Sequence, residues 1–291
     1  MHPSVGIALA LVSAASWAVG STIYKRLGRD VPAIGLNLVT SLLGMVLLAA
    51  ATIAGGGPHL PGSAPWMLAL SGVVGITVGD TLFFLALGRL DAHAVVTLTM
   101  LAPVLTIGLA VAGLGERPAP FAWLGIALVL GGVGAVLSGQ LRASAPALAR
   151  RGLGYGLGAV VAMAAGTVLA KVGMRDTSAL DATLVRVGAG TLGLAAVAAV
   201  RGGLVRALAP CVRPSVLPTL LAGVAVVTLG GFWALHASLQ AIDVAVAATL
   251  HATEPLFILP IAAAWLGERV TWRSIGGAAA SVCGVALLYL A

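Results

Sequence analysis

The stretch TLHATEPLFILP, residues 249–260, sets a histidine and a glutamate three residues apart inside an apolar run. Residues three apart are neighbours on one helix face, so His251 and Glu254 can work on the same proton or the same ammonium group. Imidazole is the side chain that changes charge near neutral pH, and a carboxylate can carry either a proton or a cation. Few other ionisable groups lie as deep in apolar sequence. Asp80 follows GVVGITVG, Arg186 lies in VRVGAG, and His236 follows FWAL. Charged groups within a membrane are expensive, roughly 2.5–3.5 kcal/mol for Asp, Lys or Arg at a helix centre on insertion scales, and they mark substrate or proton pathways. Each also has a structural reading. Glu254 can be a buried carboxylate paired with Arg186, Asp80 can bond a neighbouring helix end, and the histidines can be polar helix contacts.

Two prolines accompany these groups. Pro255 lacks an N–H and clashes with the carbonyl of residue i−4, which is His251, and Pro103 does the same to Thr99. A broken helix at membrane depth is tolerated only where protein or a water-filled cavity satisfies its backbone. Pro103 and Pro255 therefore predict kinked helices lining a polar cavity. Trp17, Phe84 and Trp233 fall at similar depths; Phe84 is one turn after Asp80 and Trp233 one turn before His236. They can line a pocket for an organic substrate or pack as ordinary core.

The elements that must position these groups are membrane helices. Of 291 residues, 60% are hydrophobic and 9% charged, against about 45–50% and about 25% in soluble domains. A spanning helix needs about 20 apolar residues. Ten such blocks run near 5–24, 33–54, 66–88, 92–114, 119–138, 153–171, 180–200, 216–240, 244–266 and 273–290. No charged N-region with a small-residue cleavage site precedes the first, so it is expected to be retained as a helix. The polar stretch 139–152 divides the chain into residues 1–138 and 153–291. Trp66, Trp123, Trp265 and Trp272 fall near block ends and fit interfacial belts.

The halves repeat. LGER occurs at 114–117 and 266–269, and each Glu, Glu116 and Glu268, follows a proline by thirteen residues. Asp91 and Asp243 share the same offset (243 − 91 = 152). WAVGSTIYKRLGRD (17–30) resembles MAAGTVLAKVGMRD (163–176), pairing Gly20 with Gly166, Ser21 with Thr167 and Lys25 with Lys171. Because five is odd, two five-helix repeats must be inverted in the bilayer, a common plan in secondary transporters. Lys25 and Lys171 sit at helix ends and are expected to snorkel. Glu116 and Glu268 precede helices 5 and 10, where a carboxylate favours a helix N-terminus. Ala127, Gly131, Ala135 and Gly139, and Gly276, Ala280 and Gly284, form small-residue stripes that let helices approach closely. Helices 5 and 10 therefore read as scaffold or oligomer contact.

The net charge of +7 comes from basic residues at block edges. No segment is long enough for a nucleic-acid-binding domain, so these charges fix topology. Twelve Lys and Arg residues flank one face and three (Arg117, Lys171, Arg175) the other. By that count the twelve-residue face is cytoplasmic and both termini are outside. Cys211 and Cys283 do not suggest a disulfide framework or a metal cluster. A metallo-hydrolase built on His251, Glu254 and Asp80 would need well-spaced zinc ligands; no His-Glu-x-x-His or nucleophile elbow occurs, and no metal or cofactor is expected.

Ten helices in two repeats, a Trp…Gly-Ser…Lys first helix, a proline in the fourth helix and LGE after it resemble the drug/metabolite transporter superfamily, in particular its EamA-like family. The resemblance covers nearly the whole chain. It implies an all-α membrane protein with two inverted EamA-type repeats and a central cavity lined by helices 1, 3, 4, 6, 8 and 9. It implies a non-enzymatic carrier of small molecules in the cytoplasmic (inner) membrane, a monomer or homodimer, with termini on the cytoplasmic side, against the charge count. The expected activity is secondary active export of small metabolites such as amino acids by alternating access, with a proton as coupling ion. A facilitated-diffusion uniporter, or an exporter of amphipathic drug-like or nucleotide-precursor compounds, is the alternative. Two departures stand out: Asn37 and Thr40 replace a basic residue common in helix 2, and helix 4 has Ala102-Pro103 without a carboxylate. Any acidic coupling group of the first repeat must then be Asp80. The site reading comprises Glu254, Asp80, His251, Trp17, Trp233, Phe84, His236 and Arg186.

Overall fold

The computed structural model describes residues 3–57, 65–105, 108, 120–143, 146–173, 177, 179–239, 241–242, 247 and 250–290. Asp243 and Glu116 lie outside the described residues, as do the side chains of Trp233, His236 and Lys171. Among the described residues the regular structure is helical, without a strand.

The first repeat contains α1 (Pro3–Leu27), α2 (Ala33–Ala54), α3 (Pro65–Leu87), α4 (Ala92–Leu105) and α5 (Pro120–Ala143). The second contains α6 (Pro146–Gly173), α7 (Ala179–Val200), α8 (217–239), α9 (Glu254–Leu266) and α10 (Trp272–Leu290). A short helix, Leu204–Leu208, lies between α7 and α8. α5 and α6 extend into the polar stretch 139–152, leaving only 144–145 between their bounds. The alanines of ASAPALAR favour helix, and Pro146 can open α6 because its missing N–H is unpaired in a first turn anyway.

Helix pairing follows the repeat. α1 packs on α8 as α6 packs on α3, while α2 pairs with α7 and α5 with α10. Leu36, Leu87, Leu90, Val95, Leu220 and Ile258 form one core cluster where the two repeats meet. Val46, Ile53, Leu192 and Val200 are exposed instead, as expected of helices solvated by lipid. Trp66, Trp123, Trp265 and Trp272 are also exposed, each near a helix end.

The α5–α10 contact uses a different face from the one the stripes suggest. A side-chain carbon at Gly132 would lie 2.4 Å from the Gly277 carbonyl and from Ser281 Oγ, and one at Gly125 would lie 2.8 Å from the Gly284 carbonyl. Gly131, Gly139 and Gly276 meet nothing within 4 Å. Of the expected stripes, Ala135 and Gly284 touch the partner helix. Spacing by four alone does not say which face is turned inward. Gly125, Val129, Gly132 and Val136 share a face whose two valines are buried, and burying them decides the rotation.

Candidate functional site

The third helix of each repeat is not uniformly α-helical. Val73–Asp80 in α3 and Val226–Trp233 in α8 are π-helical, at corresponding positions. Such wide turns concentrate at functional sites because they displace backbone groups from regular pairing. Asp80 is the last residue of the first. Buried Asn37 on α2 donates from Nδ2 to the Ile76 carbonyl at 2.9 Å and to Thr81 Oγ1 at 3.0 Å. Ser41 Oγ donates to Asn37 Oδ1 at 3.2 Å. Asn37 thus braces the wide turn that presents Asp80.

α1 turns one face to the interior. Ser13, Trp17, Ser21 and Tyr24 recur at helical spacing along it. Ser13 Oγ donates to the Gly231 carbonyl at 2.7 Å and lies 3.1 Å from His251 Nδ1. A hydroxyl has one hydrogen. With it given to Gly231, Ser13 accepts from Nδ1–H, and Nε2 of the neutral imidazole is left as an acceptor. Two turns on, Ser21 Oγ donates to Glu254 Oε1 at 3.4 Å. Close packing makes this possible. A side-chain carbon at Gly231 would stand 3.0 Å from Trp17 Nε1, and one at Gly20 2.2 Å from Val227. The Trp17 ring meets Phe232 edge-on, centroids 5.0 Å apart. Ser13→Ala is expected to free Nδ1 of His251 and the Gly231 carbonyl together. Uptake should fall several-fold while folding is kept, because each of the two lost neutral hydrogen bonds costs only about 1 kcal/mol; uptake and unfolding temperature measured side by side check this.

Both proline-bearing regions carry a break. In α4 the α-helical segment Ala92–Thr99 ends at a turn on Met100, whose N–H donates to Thr97. In the second repeat His251 is followed by a turn at Ala252–Thr253, and α9 begins at Glu254 with Pro255 in its first turn. Pro255 therefore opens a new helix inside the expected span 244–266, where a kink was expected. A proline N–H is not needed there, and Thr253 Oγ1 caps the Leu250 carbonyl at 2.6 Å. Pro260 lies inside α9.

Asp80 and Arg186 interact electrostatically across α3 and α7. Arg186 Nε is buried and has no hydrogen-bond partner among the described residues. Tyr24, buried on the inner face of α1, lies within the field of Asp80 and meets Phe84 edge-on at 5.5 Å. The structure thus sets Glu254, His251 and Trp17 between α1, α8 and α9, and Asp80 with Arg186 between α3 and α7, with Tyr24 and Phe84 beside Asp80. Ser13, Tyr24 and Asn37 belong to this arrangement and are not among the residues expected from sequence. Ser13 and Tyr24 share the face of Trp17 and Ser21, and that periodicity was the available signal.

A second polar cluster lies at one membrane face. Glu268 accepts from the backbone N–H of Ala92 at 2.6 Å and of His93 at 3.3 Å, and from His93 Nδ1 at 2.8 Å. Lys25 Nζ is 3.3 Å from Glu268 Oε1 and also donates to the Leu90 carbonyl. His93 Nε2 lies 3.3 Å from Ser274 Oγ. Glu268 therefore caps α4, not the α10 that follows it in sequence. Burial pushes the Glu268 carboxyl up, but the His93 hydrogen bond, the Lys25 charge and the Ala92 amide outweigh it and hold the carboxyl below its usual range. Burial and the Glu268 charge push Asp91 up, against Lys25 and His93. Asp91, His93 and Glu268 present ligand atoms within 4.8 Å of one another. The Lys25 ammonium already supplies the positive charge a metal ion would bring, so the donor set is that of an ion-pair cluster.

Comparison with known proteins agrees with this architecture. The sequence model of the EamA-like transporter family matches residues 4–138 and 150–290. Fifteen chains of solved structures match. One crystal structure superposes with a TM-score of 0.63 at 16% identity, covering 99% of this chain and 96% of that one, a likeness of fold. No curated protein matches.

Proposed function

The chain belongs to the EamA-like transporter family, and from that premise we propose that it is a secondary active exporter of small metabolites, amino acids foremost, working by alternating access. It is a multi-pass membrane protein and a transporter of the drug/metabolite type; the cytoplasmic membrane is where such an exporter would act. The observation that carries the finer reading is the charge pattern of the interior. Among the described residues, Glu254 has one weak side-chain donor, Ser21, and Arg186 has a buried Nε without a partner. A free carboxylate and a guanidinium with a spare donor suit the two ends of a zwitterion. Glu254 would hold the ammonium or a proton, in exchange, and Arg186 would hold the carboxylate while Asp80 keeps it in place. His251 Nε2, left as an acceptor, would pass the proton.

Uptake of labelled amino acids into proteoliposomes, with and without a pH gradient, tests this. Saturable uptake driven by the gradient is expected. Saturable uptake indifferent to the gradient would make the protein a uniporter. No uptake of any amino acid would overturn the substrate class and direct the search to nucleobases, sugars and cationic drugs.

A further inference from the structure

The cluster around Glu268 joins the two repeats. Lys25, Asp91 and His93 belong to the first, Glu268 and Ser274 to the second. Its joints are made by the LGER turn. Gly267 ends α9 with φ +67°, a left-handed conformation that favours glycine, and the Glu268 N–H donates back to Ala262 at 3.2 Å. That turn aims Glu268 across the repeat boundary onto the first amides of α4. The Lys25 and Glu268 side chains are only 15% and 4% exposed, so the ion pair is shielded from screening and stronger than a surface pair.

The sequence writes the same constellation twice. Lys25, Asp91 and Glu268 correspond to Lys171, Asp243 and Glu116. Counting spans, Lys25 ends helix 1, Asp91 opens helix 4 and Glu268 follows helix 9, all at one face. In the spans expected from sequence, Lys171 closes helix 6, Asp243 precedes helix 9 and Glu116 follows helix 4. Each set again takes its lysine and aspartate from one repeat and its glutamate from the other.

We propose that Lys25, Asp91, His93 and Glu268 are a latch that holds one face of the transporter shut. The inference rests on alternation between two conformers and not on which substrate is carried. Position 245, which corresponds to His93, is Ala, so the first set has an imidazole that the second lacks.

The test measures the latch without substrate. Exposed Cys283 is replaced by alanine, and Arg29 and Arg269, both exposed beside the cluster, are changed to cysteine and spin-labelled. Distances are read by double electron–electron resonance in nanodiscs. The unmodified latch should give mainly a short distance. Lys25→Met removes the ammonium but leaves Glu268 on the α4 amides, so folding is kept, and a longer distance should gain about tenfold in population, the size expected for losing a charge-assisted bond. Glu268→Gln should do the same. An unchanged distribution in a Lys25→Met protein of normal unfolding temperature overturns the latch. This result does not depend on the uptake assay, so failure of the latch and failure of the substrate reading are separable.

Discussion

Glu254→Gln protein in proteoliposomes is expected to lose the acceleration of uptake by a pH gradient altogether, with gradient-driven initial rates falling at least about 100-fold. The amide keeps the size and the hydrogen-bonding capacity of the side chain but cannot exchange a proton or hold a full negative charge. Removing one partner of a charge-assisted contact costs about 1.5–3 kcal/mol, which is about 10- to 150-fold in affinity, and coupling is lost in addition. Counterflow, in which labelled substrate exchanges for unlabelled without a gradient, should survive better than net uptake. The unfolding temperature should be unchanged or slightly higher, because a buried charge held by a single 3.4 Å donor is replaced by a neutral group. Gradient response equal to the parent protein would end the coupling role of Glu254 and leave HATEP as a helix junction.

Gly72→Val should be the most damaging single change among the glycines between α3 and α7. A side-chain carbon there would lie 2.0 Å from the Arg186 carbonyl oxygen and 2.8 Å from its carbon. These are backbone atoms of α7, so no rotamer change relieves the clash and the helices must separate. Overpacking costs about 1–3 kcal/mol even where side chains can yield, and in a chain of this length roughly 2–4 °C of unfolding temperature accompanies each kcal/mol. A fall of about 10 °C is expected. Transport should be lost as well, since separating α3 from α7 draws Asp80 away from Arg186 and breaks the Thr77 Oγ1 bond to the Gly190 carbonyl, 2.9 Å. Gly44→Val, at a site with nothing within 4 Å, is the control and should change neither. Thermal unfolding of the two proteins in detergent decides the matter, and equal stability would show that α3 and α7 can part without cost.

Much of the architecture was legible in the chain because membrane insertion is a one-dimensional problem. Each span must satisfy its own backbone, so apolar length reports helices directly, and the doubled LGER, Asp and Pro positions report the repeat. The helix breaks near Pro103 and Pro255 were legible for the same local reason, since proline removes a donor wherever it stands. What a side chain touches across helices was not. Glu268 reads locally as a group at the start of α10, yet it caps α4 some 175 residues away. The stripe at Ala127, Gly131 and Gly139 reads as a contact, yet the buried face of α5 is the one holding Gly125 and Gly132. Ser13 and Tyr24 read as ordinary helix residues until α8 and α3 are packed beside them. The two π-helical segments leave no local mark in the sequence. Sequence alone therefore determined a bilayer-spanning, twofold-repeated helical carrier with ionisable groups at depth. Only the tertiary structure decided which of those groups meet, because helix rotation and interhelical register are set by packing between segments distant in the chain, and no local rule contains that information.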